Sequence, residues 1–77
     1  MEEILVKEKE ISEYLDLAKK ALENGEIELK AYGRDTVKAV DVAENLKKQG
    51  FKVSDIKINT EEKDGKRIST ISIKITR

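Results

Sequence analysis

The sequence predicts an α+β fold, a two-layer sandwich in which two helices cover one face of a mixed four-stranded sheet, in the order β-α-β-α-β-β. Three observations carry that expectation. Two stretches place apolar residues at helical spacing, the stretch between them alternates, and Asp64-Gly65 separates two β-branched runs near the C-terminus. Placing both helices on one face buries both apolar stripes and leaves the other face to water or a partner.

Residues 3 to 7 read as a short strand. From Ile11 to Asn24 the residues Ile11, Tyr14, Leu15, Leu17, Ala18, Ala21 and Leu22 fall within about 160° of a helical wheel, an amphipathic helix. Glu10 and Glu13 suit its positive N-terminal end, and Asn24-Gly25 a left-handed C-cap. Glu26 to Tyr32 alternates, with Ile27, Leu29 and Ala31 on one face and Glu28, Lys30 and Tyr32 on the other, as in a half-buried strand. A second helix from Asp35 to Gln49 turns Ala39, Val40, Val42, Ala43 and Leu46 inward and Lys38, Asp41, Asn45 and Lys48 outward, and stops at Gly50. Val37 lies off the inward arc, through ordinary exposure or as part of a dimer contact.

The last third is a hairpin on a two-residue type I′ turn. Pairing outward from the turn sets Lys63 against Lys66, Glu62 against Arg67, Thr60 against Ser69, Ile58 against Ile71, Ile56 against Ile73 and Asp55 against Lys74. Ile56, Ile58, Ile71 and Ile73 then share the core face, and Lys57, Asn59, Thr70 and Ser72 the other. Ile68 joins the polar set unless a bulge at Ser69-Thr70 turns it inward.

The 77 residues form one domain with no linker or repeat, and 42% of them are charged, 16 basic against 16 acidic. Without His or Cys, histidine triads, zinc and haem sites, thiolate chemistry and disulfides are excluded. The serines lack a Gly-x-Ser-x-Gly context, the glycines form no phosphate-binding fingerprint, and Glu61, Glu62 and Asp64 lack the spacing of a calcium loop, so neither catalysis nor a cofactor is expected. The longest consecutive apolar run, Ile4-Leu5-Val6, gives no membrane span, and the acidic start no secretory signal, so a cytoplasmic protein is expected. Dense Glu and Lys suits a thermophilic chain, and equally an idealised engineered one without Pro.

The zero net charge is an average. Residues 1–24 hold seven acids and four bases, residues 25–50 five of each, and residues 51–77 four acids and seven bases. A hairpin with Lys63, Lys66 and Arg67 at its tip can neutralise phosphates, although edge-strand Lys and Arg also prevent aggregation. Arg34 follows Gly33 at a helix start, where backbone N–H groups favour an anion, or it pairs with Asp35 or Glu28. Tyr32 beside them can stack on a base or simply cover the sheet.

The segment KAYGRDTVKAVD at 30–41, together with RISTISI at 67–73, resembles the Alba family of small archaeal nucleic-acid-binding proteins. The family pattern is roughly Lys-Ala-x-Gly-Arg-x-x-x-Lys-Ala-Val-Asp, followed by Arg-Val-Ser-Thr-Ile in the last strand. The resemblance implies a fold like the C-terminal domain of translation initiation factor three, in a homodimer whose hairpin arms reach along DNA or RNA. It implies nucleic-acid contacts at Lys9, Lys30, Arg34 and Lys38 in the body and at Lys63, Lys66 and Arg67 in the arm; Tyr32 and Gly33, beside Arg34, complete the candidate contact residues. It further implies a nucleoid-associated, chromatin- or RNA-linked role with little sequence preference. Two positions depart from the pattern: Glu8 stands where the family has the first of two lysines, and Tyr32 where it often has Arg. These bring the chain nearer to divergent second Alba copies or RNA-binding relatives, and they suit a heterodimer partner of a more basic paralogue as the alternative.

Overall fold

A computed structural model describes residues 1–77, with the elements in the expected order: β1 (Glu2–Leu5), α1 (Ile11–Leu22), β2 (Ile27–Tyr32), α2 (Asp35–Lys48), β3 (Lys52–Lys63) and β4 (Lys66–Thr76). The sheet runs β1-β2-β4-β3; β1 and β2 are parallel, and β4 is antiparallel to both its neighbours. The second crossover skips one position, and β4 returns to fill it.

Element ends move by one or two residues. The Val6 amide still donates to the Lys30 carbonyl at 2.8 Å, but Lys7 turns its amide to the Tyr14 hydroxyl, which ends β1. The amides of Glu23, Asn24 and Gly25 close onto the carbonyls of Lys20, Ala21 and Leu22 at 3.2, 3.0 and 3.3 Å, so α1 tightens into a three-residue spacing at Leu22 and not at Asn24.

The core lies between the helices and the sheet. Its fully buried large side chains are Val6, Leu22, Ile27, Leu29, Val42, Leu46, Ile73 and Ile75, each contributing about 1.5–3 kcal/mol by leaving water. Four residues assigned inward by periodicity are exposed: Leu17, Val40, Ile56 and Ile58, at 45%, 38%, 53% and 71%. Both helices pack on β2, and α2 reaches β4 and, at its margin, β3. The edge strand therefore presents an apolar inner face with little above it. Only the β4 half of the expected four-isoleucine cluster, Ile71 and Ile73, is enclosed.

The hairpin register is as expected at every pair from Lys63↔Lys66 to Asp55↔Lys74. Asp64 and Gly65 have φ of 52° and 75°, both left-handed, as a type I′ turn requires. The irregularity falls between Val53 and Asp55, not at Ser69-Thr70. That extra residue switches which parity faces inward, so that Val53 packs on the core, while unbroken alternation leaves half-buried Ile68 on the helix-free side.

Four pairs, Thr60↔Ser69 to Lys63↔Lys66, lie beyond Tyr32↔Thr70, the last pair of β2. At about 3.4 Å per residue they form an arm roughly 14 Å long, which accounts for the elongated envelope of 40 × 23 × 19 Å. At its base the Gly33 amide donates to the Ser69 carbonyl at 2.7 Å, with Gly33 at φ +58°. A Cβ at Gly33 would meet nothing within 4 Å, so its cost is conformational alone. Gly33→Ala is expected to lower unfolding free energy by about 1 kcal/mol in a denaturant titration.

Candidate nucleic-acid interface

Strands β1, β2 and β3 run in the same direction, so the connections that follow them leave from one end of the sheet. The β1–α1 segment brings Lys7, Glu8 and Lys9 to that end, the β2–α2 junction brings Gly33 and Arg34, and the arm projects past them. Both helices begin there, which adds the positive ends of two helix dipoles to the exposed ammonium and guanidinium groups. Such an end favours an anion over the opposite one.

Each basic side chain has a distinct setting. Lys7, Glu8, Lys9 and Arg34 are exposed. Arg34 precedes the first turn of α2, which is fastened by Thr36: its amide and hydroxyl both donate to the Gly33 carbonyl, at 3.2 and 2.8 Å. Lys38, expected to point outward, is half-buried and folds back; its ammonium donates to the carbonyls of Lys7 and Lys9, at 2.9 Å each. The structure thus joins Lys9 and Lys38 and sets Arg34 one helical turn from Lys38.

Lys30 and Tyr32 stand apart on the helix-free face of the sheet. Lys30 lies 3.9 Å from the Glu3 carboxylate, and Tyr32, 38% exposed, sits beside Thr70. At the tip Lys63, Lys66 and Arg67 are matched in number by Glu61, Glu62 and Asp64, so the expected basic tip is balanced. The surplus of the last third lies at the root of the hairpin, in Lys52, Lys57, Lys74 and Arg77 against Asp55. Arg67 and Glu62 approach to 3.8 Å with both side chains largely solvated, an ion pair that a phosphate can displace at little cost. Arg77 is engaged elsewhere, donating from Nε to the Leu22 carbonyl at 3.2 Å.

Two contributors escape the residue-type reading. Lys7 lies next to the expected positions in the same segment and could have been found by proximity. Tyr14 reads as core and is core, 3% exposed, yet its hydroxyl accepts the amides of Lys7 and Lys9 at 2.6 and 3.3 Å. Nothing in the spacing announces that contact.

On the helix-free face the Ser72 hydroxyl donates to Glu28 Oε2 at 2.5 Å, and this bond lowers the Glu28 pKa, assisted by Glu3, Lys30 and Lys74 against a smaller effect of burial. A folded-state pKa below the ordinary value stabilises the protein above that value and is lost as pH falls through the folded pKa. Wild type is therefore expected to exceed Glu28→Gln in stability near neutral pH, with the difference shrinking below the ordinary carboxylate range. Denaturant titrations at several pH values check this.

No group of three metal-ligating side chains converges anywhere in the fold, and no helix is long and apolar enough to cross a membrane.

A family model described as Alba matches residues 2–60. Among solved structures, Alba from Thermoplasma volcanium superposes with a TM-score of 0.85 at 30% identity, covering 97% of this chain and 99% of that one. ALBA1 from Trypanosoma brucei gives a TM-score of 0.87 at 25% identity, covering 97% of this chain and 68% of that one. A search of curated proteins returns no significant match.

Proposed function

The chain belongs to the Alba family, and from that membership we propose that it is a non-enzymatic protein that binds DNA or RNA through phosphate contacts, with little sequence preference. The observation that carries the reading is the gathering of Lys7, Lys9 and Arg34 with two helix N-termini at one end of the sheet, beside a projecting two-stranded arm. Lys and Arg on a helix-terminal surface address phosphate oxygens, which are alike in every sequence. Lys63, Lys66 and Arg67 extend the contact along the arm, while Lys30 and Tyr32 supply a lateral contact on the helix-free face. A nucleoid- or RNA-associated location inside the cell goes with this reading.

The same reading includes a homodimer. Val37, Val40, Ile56 and Ile58 are 66%, 38%, 53% and 71% exposed, and Val37, Val40 and Ile58 line one shallow groove with Ile71. A contiguous apolar patch on a chain this small and this charged calls for a partner. A second copy supplies a matching patch through a two-fold axis and doubles both the basic end and the arm. A heterodimer with a more basic paralogue uses the same face; Glu8 in the middle of the basic segment favours that alternative.

Binding to a short duplex and to an RNA hairpin, measured across a salt series, tests the proposal. Affinity is expected to fall as salt rises, and absence of binding to either at low salt overturns it. Lys66→Glu with Arg67→Glu is expected to weaken binding to all sequences alike, each lost phosphate contact reducing the slope of log affinity against log salt by about 0.9 on duplex DNA. Binding that appears only after a basic family member is added indicates the heterodimer.

A further inference from the structure

The segment between β1 and α1 has an unusual mode of support. Lys7, Glu8 and Lys9 lie outside any helix or strand, and all three are exposed. Their backbone groups cannot be served by the sheet, because β1 has ended. Two side chains serve them instead. The Tyr14 hydroxyl accepts the amides of Lys7 and Lys9 at 2.6 and 3.3 Å, and the Lys38 ammonium donates to the carbonyls of the same two residues at 2.9 Å each. All four backbone polar groups of Lys7 and Lys9 are thereby satisfied by one buried phenol and one ammonium, and Glu8 is the exposed crown of the arch between them.

We propose that Lys38 is a positioning residue which, with Tyr14, holds the Lys7–Lys9 arch in its binding shape, and that it does not act as an independent phosphate ligand. This rests on the nucleic-acid reading above. An ammonium has three N–H donors, and two of those of Lys38 are committed to the arch. Moving its nitrogen out to a phosphate would strip both carbonyls of charge-assisted hydrogen bonds. Keeping it in place orders a segment that would otherwise lose conformational freedom on binding, so part of the ordering cost of engaging Lys7 and Lys9 is met during folding. The side chain spans 31 and 29 residues of sequence to reach its acceptors, which ties the basic segment after β1 to the helix that begins with Arg34.

The decisive measurement is a double-mutant cycle on affinity for a short DNA duplex, with Lys38→Met and Lys9→Ala singly and together, accompanied by amide hydrogen exchange of the unbound proteins. Lys38→Met is expected to speed exchange at the Lys7 and Lys9 amides by about tenfold, with the core amides of β2 and β4 unchanged. Each single substitution is expected to weaken binding, and Lys9→Ala is expected to cost little once Lys38 is gone, since a loosened arch has already lost that contact. Tyr14→Phe provides a second route: it removes no charge and the residue is 3% exposed, yet it is expected to weaken binding and to show the same coupling to Lys9→Ala. Additive losses in the cycle, with exchange at Lys7 and Lys9 unaltered, overturn the proposal and make Lys38 a separate phosphate ligand. Failure of the wild-type protein to bind duplex or RNA at low salt overturns the nucleic-acid reading and this inference with it; additive losses in a protein that binds overturn this inference alone.

Discussion

Ile58→Asp combined with Val37→Asp is expected to leave a folded single chain that has lost its partner and most of its nucleic-acid affinity. Ile58 and Val37 are the most exposed of the four apolar residues on the α2–β3 side, at 71% and 66%. Neither is enclosed by its own chain, so replacing them costs the monomer little, within the about 0.5 kcal/mol of ordinary surface changes. In the proposed dimer the same positions are buried against a second copy, and four carboxylates brought together across a two-fold axis repel in a setting with little water. Dissociation removes one of two basic ends and one of two arms from each complex. Avidity of that kind is worth about 10²-fold or more without any change in individual contacts. Sedimentation should shift from the mass of two chains to that of one, with the far-ultraviolet circular dichroism unchanged. A wild-type protein that sediments as one chain overturns the dimer, and so does a variant that still sediments as two.

Lys9→Glu with Arg34→Glu is expected to reduce affinity for duplex DNA and structured RNA on the order of tenfold per reversal at low salt, and to flatten the salt dependence. Both side chains are exposed at the end of the sheet where the parallel strands finish, and neither takes part in a hydrogen bond or ion pair of the fold through its charged group. Lys9 enters the arch only through its backbone, which leaves its ammonium available. The reversal therefore changes the field at the surface without disturbing the support beneath it. Glu8→Lys is the converse, adding a cation at the crown of the same arch, and should strengthen binding and steepen the salt slope. Equal affinity in all three proteins would place the nucleic acid elsewhere, with the helix-free face around Lys30, Lys57 and Tyr32 the first region to examine.

The parts of this interface that could be read in advance follow a clear physical division. Short-range backbone chemistry is written locally. Asp64-Gly65 accepts two left-handed residues, so the turn, the register of the hairpin and the arm all follow from one dipeptide and the alternation beside it. Gly33 before Arg34 marks where β2 yields to α2 for the same reason. The residue types at the end of the sheet, and the absence of histidine and cysteine, were equally legible, since they depend on composition alone. The direction of Lys38 was not. Helical periodicity places its Cα on the outer side of α2, but a four-carbon stem lets the ammonium travel back to carbonyls some 30 residues earlier in the chain.

Ile56 and Ile58 mark the other boundary. Their alternation with Lys57 and Asn59 determines that they share a face with Ile71 and Ile73, and the structure agrees. Whether that face is covered depends on where α2 lies across the sheet, chiefly over β2 and β4 with Val42 and Leu46 fully buried beneath it, and on the skipped position that puts β3 at the edge. By itself, then, the sequence determined the elements, their order, the hairpin register and the chemistry of the exposed residues, because each of these depends on neighbours a few positions away. Only the tertiary structure decided which apolar face stays open and that Lys38 and Tyr14 support the basic arch, because these depend on distances between segments that no local periodicity encodes.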